Sequence, residues 1–174
     1  MYVEDTFDKF GKYLVQQSKS NLTRLKKNAS KEGYNSIKYE VIEHKNSFSF
    51  SLYMEDYMVF IDAGVKGVGG TKVDGSQWKK KTVTNNKFKY RSKKPPASAF
   101  NGWVIRRGIA PRKNGKFTSR KSIMFAIANS VYHTGLETTN FFTLPFERAF
   151  KNLPNDVVEA YGLDVEKLLI QALK

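Results

Sequence analysis

Residues 5 to about 27 place Phe7, Phe10, Leu14, Leu22 and Leu25 near one face at a 3.6-residue period, which predicts a helix. Asp5 or Thr6 is expected to cap it, with Asp8 favourably placed near the positive end of the helix dipole. The stretch from Gln17 to Asn21 is polar on every side, so the helix is expected to pack at both ends and, at its centre, to be exposed or to contact a neighbour. The period then changes to two. Residues 37–43 alternate imperfectly, and residues 47–54 alternate cleanly with Phe48, Phe50, Leu52 and Met54 on one face. His44, Lys45 and Asn46 join the two runs as an antiparallel hairpin with one wet face.

The short apolar segment 56–64 fits helix or strand, and the glycines at 64, 67, 69 and 70 predict a loop after it. In the next stretch, 78–84 and 87–91 flank Asn85-Asn86, the pattern of a second hairpin. Pro95-Pro96 opens a helix that carries Phe100, Trp103 and Val104 on one face and stops at Gly108. Thr118 or Ser119 caps a further helix to about His133, with Ile123, Ala126, Ile127 and Val131 inward and Gly135 as terminator. Pro145 starts a helix to about Lys151. Residues 156–161 form a short helix broken at Gly162, and Asp164 caps a last one through Leu173. The fold class is α+β: an antiparallel sheet packed with a long N-terminal helix and C-terminal helices, with an extended basic β-hairpin insertion. The chain of 174 residues is expected to form one domain, with residues 66–95 as an arm within it.

Charge changes this picture. The chain holds 30 Lys+Arg and 16 Asp+Glu, a formal charge of +14. Residues 66–121 carry 17 basic side chains against one acid, Asp74. In the expected hairpin Lys81 faces Tyr90 and Lys80 faces Arg91, and like charges directly opposed destabilise a ribbon by up to about 1 kcal/mol per pair. An acidic partner is therefore expected against Lys79, Lys80, Lys81, Lys87, Lys89, Arg91, Lys93, Lys94, Arg106, Arg107 and Arg112. Trp78, Phe88 and Tyr90 are available to stack, and the patch around Phe141 and Phe142 is either core or interface.

Candidate chemistry is sparse. There is no cysteine, which excludes disulfides, thiolate metal sites and thiol nucleophiles. The glycine-rich loop lacks the Gly-Lys-Ser/Thr ending of a phosphate loop. Glu55-Asp56 with Asp62, and Asp164 with Glu166 and Lys167, are the only groupings reminiscent of a metal-dependent nuclease. Carboxylates there do not converge by spacing. His133, near a helix C-terminus, is expected to be structural, and His44 has no visible partner. No catalytic residue, metal or cofactor is expected. The first residues have neither the basic nor the apolar region of a secretion signal, and no apolar run approaches a membrane span.

The order of segments carries a resemblance. Asn28 to Ile37 precedes the hairpin, and the segment from Asp56 to Gly64 follows it. Then come Pro95-Pro96, the run from Trp103 to Ile109, and Thr134-Gly135-Leu136 leading to Phe141-Phe142-Thr143-Leu144-Pro145-Phe146-Glu147-Arg148-Ala149. This succession, over residues 5 to 150, resembles the tail-completion or head–tail connector (minor tail, neck) proteins of tailed bacteriophages. Asp62 departs from the family's usual Glu, Gly33 from a larger apolar residue, and the stretch 66–94 is unusually long and basic. The resemblance implies a non-enzymatic virion protein, assembled in the host cytoplasm. It would form a homo-oligomeric ring at the portal vertex, touch neighbouring portal, connector or tail proteins, and let double-stranded DNA pass. It implies no small-molecule substrate and no membrane. A nucleic-acid-binding module is the alternative reading.

Overall fold

A computed structural model describes residues 1–28, 31–45, 47–84, 87–110, 112–113 and 115–172, with the side chains of Lys113 and Lys116 excepted. The fold is α+β: a long N-terminal helix, a two-stranded antiparallel sheet and C-terminal helices. The chain divides into two compact units. Residues 1–25, 34–55 and 141–174 make unit 1, and 26–33 and 56–140 make unit 2.

In unit 1, helix α1 (Tyr2–Arg24) buries Val3, Phe10, Gly11, Leu14, Ser18 and Leu22. Of the two outcomes the polar stretch allows, its centre contacts neighbours: Ser18 has no accessible surface, and Asn21 Nδ2 donates to Phe141 O at 3.1 Å. Small size, which a hydrophobicity pattern ignores, admits neighbours here. At Gly11 the ring of Tyr39 occupies the space a Cβ would need. After the helical turn α2 (Glu32–Ser36), strands β1 (Lys38–His44) and β2 (Ser47–Tyr53) pair in the register Tyr39↔Leu52, Val41↔Phe50, His44↔Ser47. The expected connection falls at Lys45 and Asn46, of which Asn46 lies outside the described residues. Phe50 packs edge-on to Phe10 and stacks with Tyr39.

Helix α3 (Met58–Ala63) resolves the ambiguous apolar run as helix, and α4 (Asn101–Arg106), α5 (Arg120–Thr134), α6 (Thr143–Phe150) and α7 (Leu153–Ala172) follow. Two predicted features at the C-terminus are overturned. Gly162 does not break α7, because one glycine costs only about 1 kcal/mol in a helix interior and nothing crowds it. Asp164 does not cap a new helix. Its carboxylate accepts the N–H groups of Tyr2 and Val3 at 3.0 and 3.1 Å and caps α1 instead. Neither Asp5 nor Thr6 does so, since α1 begins at Tyr2. Phe10 and Leu14 meet Leu153, so α1 and α7 run antiparallel.

Unit 2 is built on backbone contacts. Strand β3 (Val65–Lys66) pairs with β6 (Gly135–Leu136), giving the expected loop a short ladder. Gly135 has φ +85°, and a Cβ there would meet the Val65 carbonyl and the Gly67 amide. A single 3₁₀ turn (Ala97–Phe100) leads from the two prolines into α4. Helix α4 closes at Gly108 (φ +60°), where Ile109 N–H donates to Val104 O and Gly108 N–H to Ile105 O. Of its predicted face, Val104 is buried and Trp103 is exposed. Ser119 caps α5 as predicted, accepting from Ser122 N–H. Ala128, not Ala126, is the fully buried alanine of α5. Strands β4 (Arg112–Lys113) and β5 (Lys116–Phe117) form a minimal hairpin.

A cationic face strapped to unit 2

Residues 66–95 are the largest departure from expectation. No ladder joins 78–84 to 87–91 among the described residues, and the predicted turn at Asn85-Asn86 lies outside them. Each half pairs with a different part of unit 2. Lys66 N–H donates to Phe88 O, and Tyr90 N–H donates to Lys66 O. Trp78 N–H donates to Gly70 O, Lys81 N–H to Thr134 O, and Thr138 N–H to Thr82 O. A self-paired ribbon would set Lys80 against Arg91. The observed course separates those charges and gives the backbone partners elsewhere.

Aromatic rings fix the course. Trp78 stacks on His133 with centroids 5.1 Å apart and planes at 5°. Tyr132 meets His133 edge-on at 5.1 Å, and Tyr90 lies 5.9 Å from Tyr132. Phe88 packs edge-on to Phe60. His133 Nδ1 hydrogen-bonds Gly69 O, and Tyr132 OH donates to Arg91 O. His133 thus has the structural role expected of it. Tyr132 and Asn129, which complete the strap from α5, carried no periodic signal that marked them.

The aromatics predicted to receive a partner are therefore engaged by the chain itself. Trp78, Phe88 and Tyr90 are half-buried, and burial pushes the Tyr90 hydroxyl above its usual pKa. Phe141 has no accessible surface, and Phe142 packs on the core of Phe10, Leu14 and Leu153. Phe141 is therefore core, and Phe142 is half-buried beside it.

The cations behave oppositely. Lys79, Lys80, Lys81, Lys87, Lys89, Arg91, Lys93, Lys94, Arg106, Arg107 and Arg112 are all exposed. Several lie over rings: Lys72 over Trp78, Lys94 over Tyr132, Lys87 over Phe88, and Arg112 over Phe117 at 4.5 Å. Lys94 Nζ also donates to Asn129 Oδ1 at 2.7 Å, and an Arg107 guanidinium nitrogen donates to Lys26 O. Such contacts orient the charges without neutralising them. Among the described residues, the one ion pair in unit 2 is Arg106 with Glu32, at 4.0 Å. Asp74 spends its carboxylate on Ser76, whose hydroxyl and N–H hold it below the usual range. Lys27 is depressed chiefly by burial and then by the charge of Lys81; Glu137 opposes this, and Arg107 adds the smallest push downward.

The basic block of 66–121 lies wholly within unit 2. Unit 2 holds 20 lysines and arginines against five acids, and unit 1 ten against eleven. Among the described residues no group of three or more His, Asp or Glu side chains is placed to hold a metal ion. No helix of the described residues is long and apolar enough to cross a membrane. No protein-family profile, curated protein or solved structure matches this chain. Fold and site together define an α+β chain in which one near-neutral unit accompanies one strongly cationic unit.

Proposed function

We propose that the chain is a structural virion protein: a subunit of a ring in the neck or tail of a tailed phage, joining portal to tail and letting DNA pass. One observation carries this reading. Unit 2 has an excess of 15 positive charges in sequence, most of the described cations are exposed, and a single internal ion pair is present among the described residues. Self-repulsion of that size disfavours the compact state unless an anionic surface lies against it. The resemblance of residues 5 to 150 to head–tail connector proteins supplies the setting, and such a ring meets both acidic protein and passing DNA. The cationic element is a face strapped to its own unit, not a free arm, so it acts as a preformed docking surface.

The test is the composition and map of the native particle. The chain is expected in purified virions, in several copies, at the head–tail junction by electron microscopy. Its absence from purified particles would overturn the proposal.

A second reading, direct binding of nucleic acid, is favoured by the same exposed cations. The occupied aromatics argue against base stacking and leave phosphate contacts alone. Binding to duplex DNA would then fall by orders of magnitude between about 50 and 200 mM salt. A shallow salt slope removes this reading and leaves acidic protein as the partner.

A further inference from the structure

Helix α7 outruns its partner. Its buried positions are Leu153, Ala160 and Asp164, with Val157 half-buried, all on the side that meets α1. Because the helices are antiparallel and Asp164 sits on the first turn of α1, residues 165–172 run on past the start of α1, where Lys167 Nζ still lies over the Tyr2 ring at 5.9 Å. Those eight residues extend about 12 Å at 1.5 Å per residue. Val165, Leu168, Leu169 and Ile170 are all exposed there, at 39, 57, 60 and 51%. With Val158 and Tyr161, at 72 and 64%, Val165, Leu168 and Leu169 continue one stripe at three- and four-residue spacing. An end of two turns has little helical stability of its own, since most of it comes from packing.

The charges indicate what covers it. Besides Asp164, which caps α1, helix α7 carries Asp156, Glu159 and Glu166 against Lys167, and its last turn has no basic residue to meet the negative end of the dipole. Unit 2 supplies the complement, apolar side chains set among exposed cations. On α4, Ile105 is 53% exposed beside Arg106 and Arg107. On α5, which α4 contacts, Phe125 is 58% exposed one turn from Lys121. Pairing two cationic units would be repulsive, whereas α7 against unit 2 joins opposite charges and covers apolar surface on both sides.

We infer that the exposed α7 stripe and overhang of one copy seat on the α4–α5 face of unit 2 in the next copy. Such a head-to-tail contact repeats, and closes into a ring when the rotation permits. This inference deepens the proposed ring function and rests on it for the closed form, although the contact itself does not require a virion.

The absence of cysteine makes the test clean, because an introduced pair is the only route to a disulfide. Leu168→Cys and Phe125→Cys both alter exposed positions. Under mild oxidation, an equimolar mixture is expected to yield a covalent dimer, each variant alone only monomer, and the double variant a ladder of 19.9 kDa steps. Adding Leu169→Lys to the double variant should abolish the ladder by setting a cation against a cationic face, with the circular-dichroism spectrum unchanged. Dimer from Leu168→Cys alone would mean that α7 pairs with its own copy, and would overturn the inference. So would the absence of a disulfide in the mixture. If the chain is absent from virions yet gives the ladder, the neck reading fails and this contact stands. If it is present at the neck without the ladder, the contact fails and the neck reading stands.

Discussion

Trp78 and His133 lie 55 positions apart in sequence, and their rings stack nearly parallel at 5.1 Å. This contact turns the basic segment from a projecting ribbon into a surface. Replacing Trp78 with Leu keeps apolar bulk but removes the stack, and aromatic pairs contribute about 0.5–1.5 kcal/mol beyond the area they bury. A stability loss of that order is expected in urea unfolding, with faster amide exchange at Trp78 and Lys81, whose N–H groups bond Gly70 and Thr134. Unchanged exchange would show that the strap does not depend on the stack.

Asp164 gives a pH signature. Its carboxyl is held below the usual 3.8 chiefly by the Tyr2 N–H, and also by the Val3 N–H, the terminal ammonium and Lys167. A depressed carboxyl contributes stability that is fully present above the unfolded value and is lost as pH falls through the folded one. The wild-type chain should therefore lose part of its stability below about pH 3.8, the unfolded value. Asp164→Asn should be less stable at neutral pH and show a flatter acid limb. An identical acid limb in a pH series of thermal melts would contradict the capping role.

Two glycines with positive φ should respond differently. Gly108 (φ +60°) has open space where a Cβ would go, so Gly108→Ala meets only the backbone cost of the left-handed conformation, about 1–2 kcal/mol. Gly135 (φ +85°) adds a collision with the Val65 carbonyl and the Gly67 amide, which belong to the backbone and cannot swing away. Gly135→Ala should be clearly more damaging. Chemical denaturation of both variants under one condition checks the order.

Ser18 has a buried hydroxyl without a hydrogen-bond partner among the described residues. An unmade buried hydrogen bond costs about 1–3 kcal/mol. Ser18→Ala leaves the size nearly unchanged and raises helix propensity, so the melting temperature should rise. A fall would mean that the hydroxyl is satisfied in solution.

Elements that depend on neighbouring residues were legible in the chain. Phe10, Leu14 and Leu22 marked the buried side of α1, strict alternation from Ser47 to Tyr53 marked β2, and Ser119 and Gly108 marked the ends of their helices. The cations named from the sequence are all exposed. The shape of the candidate face was not legible. Asn85-Asn86 between two alternating runs is a sound local hairpin signal, but Lys66, Thr134 and Thr138 supply competing backbone partners from distant sequence.

By itself the sequence determined the α+β class, the positions of most elements and the existence of a strongly cationic stretch, because periodicity, turn chemistry and net charge are properties of contiguous residues. Only the tertiary structure decided that this stretch is tied down by Trp78 and His133, that Asp164 serves α1 rather than its own helix, and that Phe141 is core. Those outcomes depend on which distant groups compete for the same hydrogen bond or buried space, and local pattern holds no record of that competition.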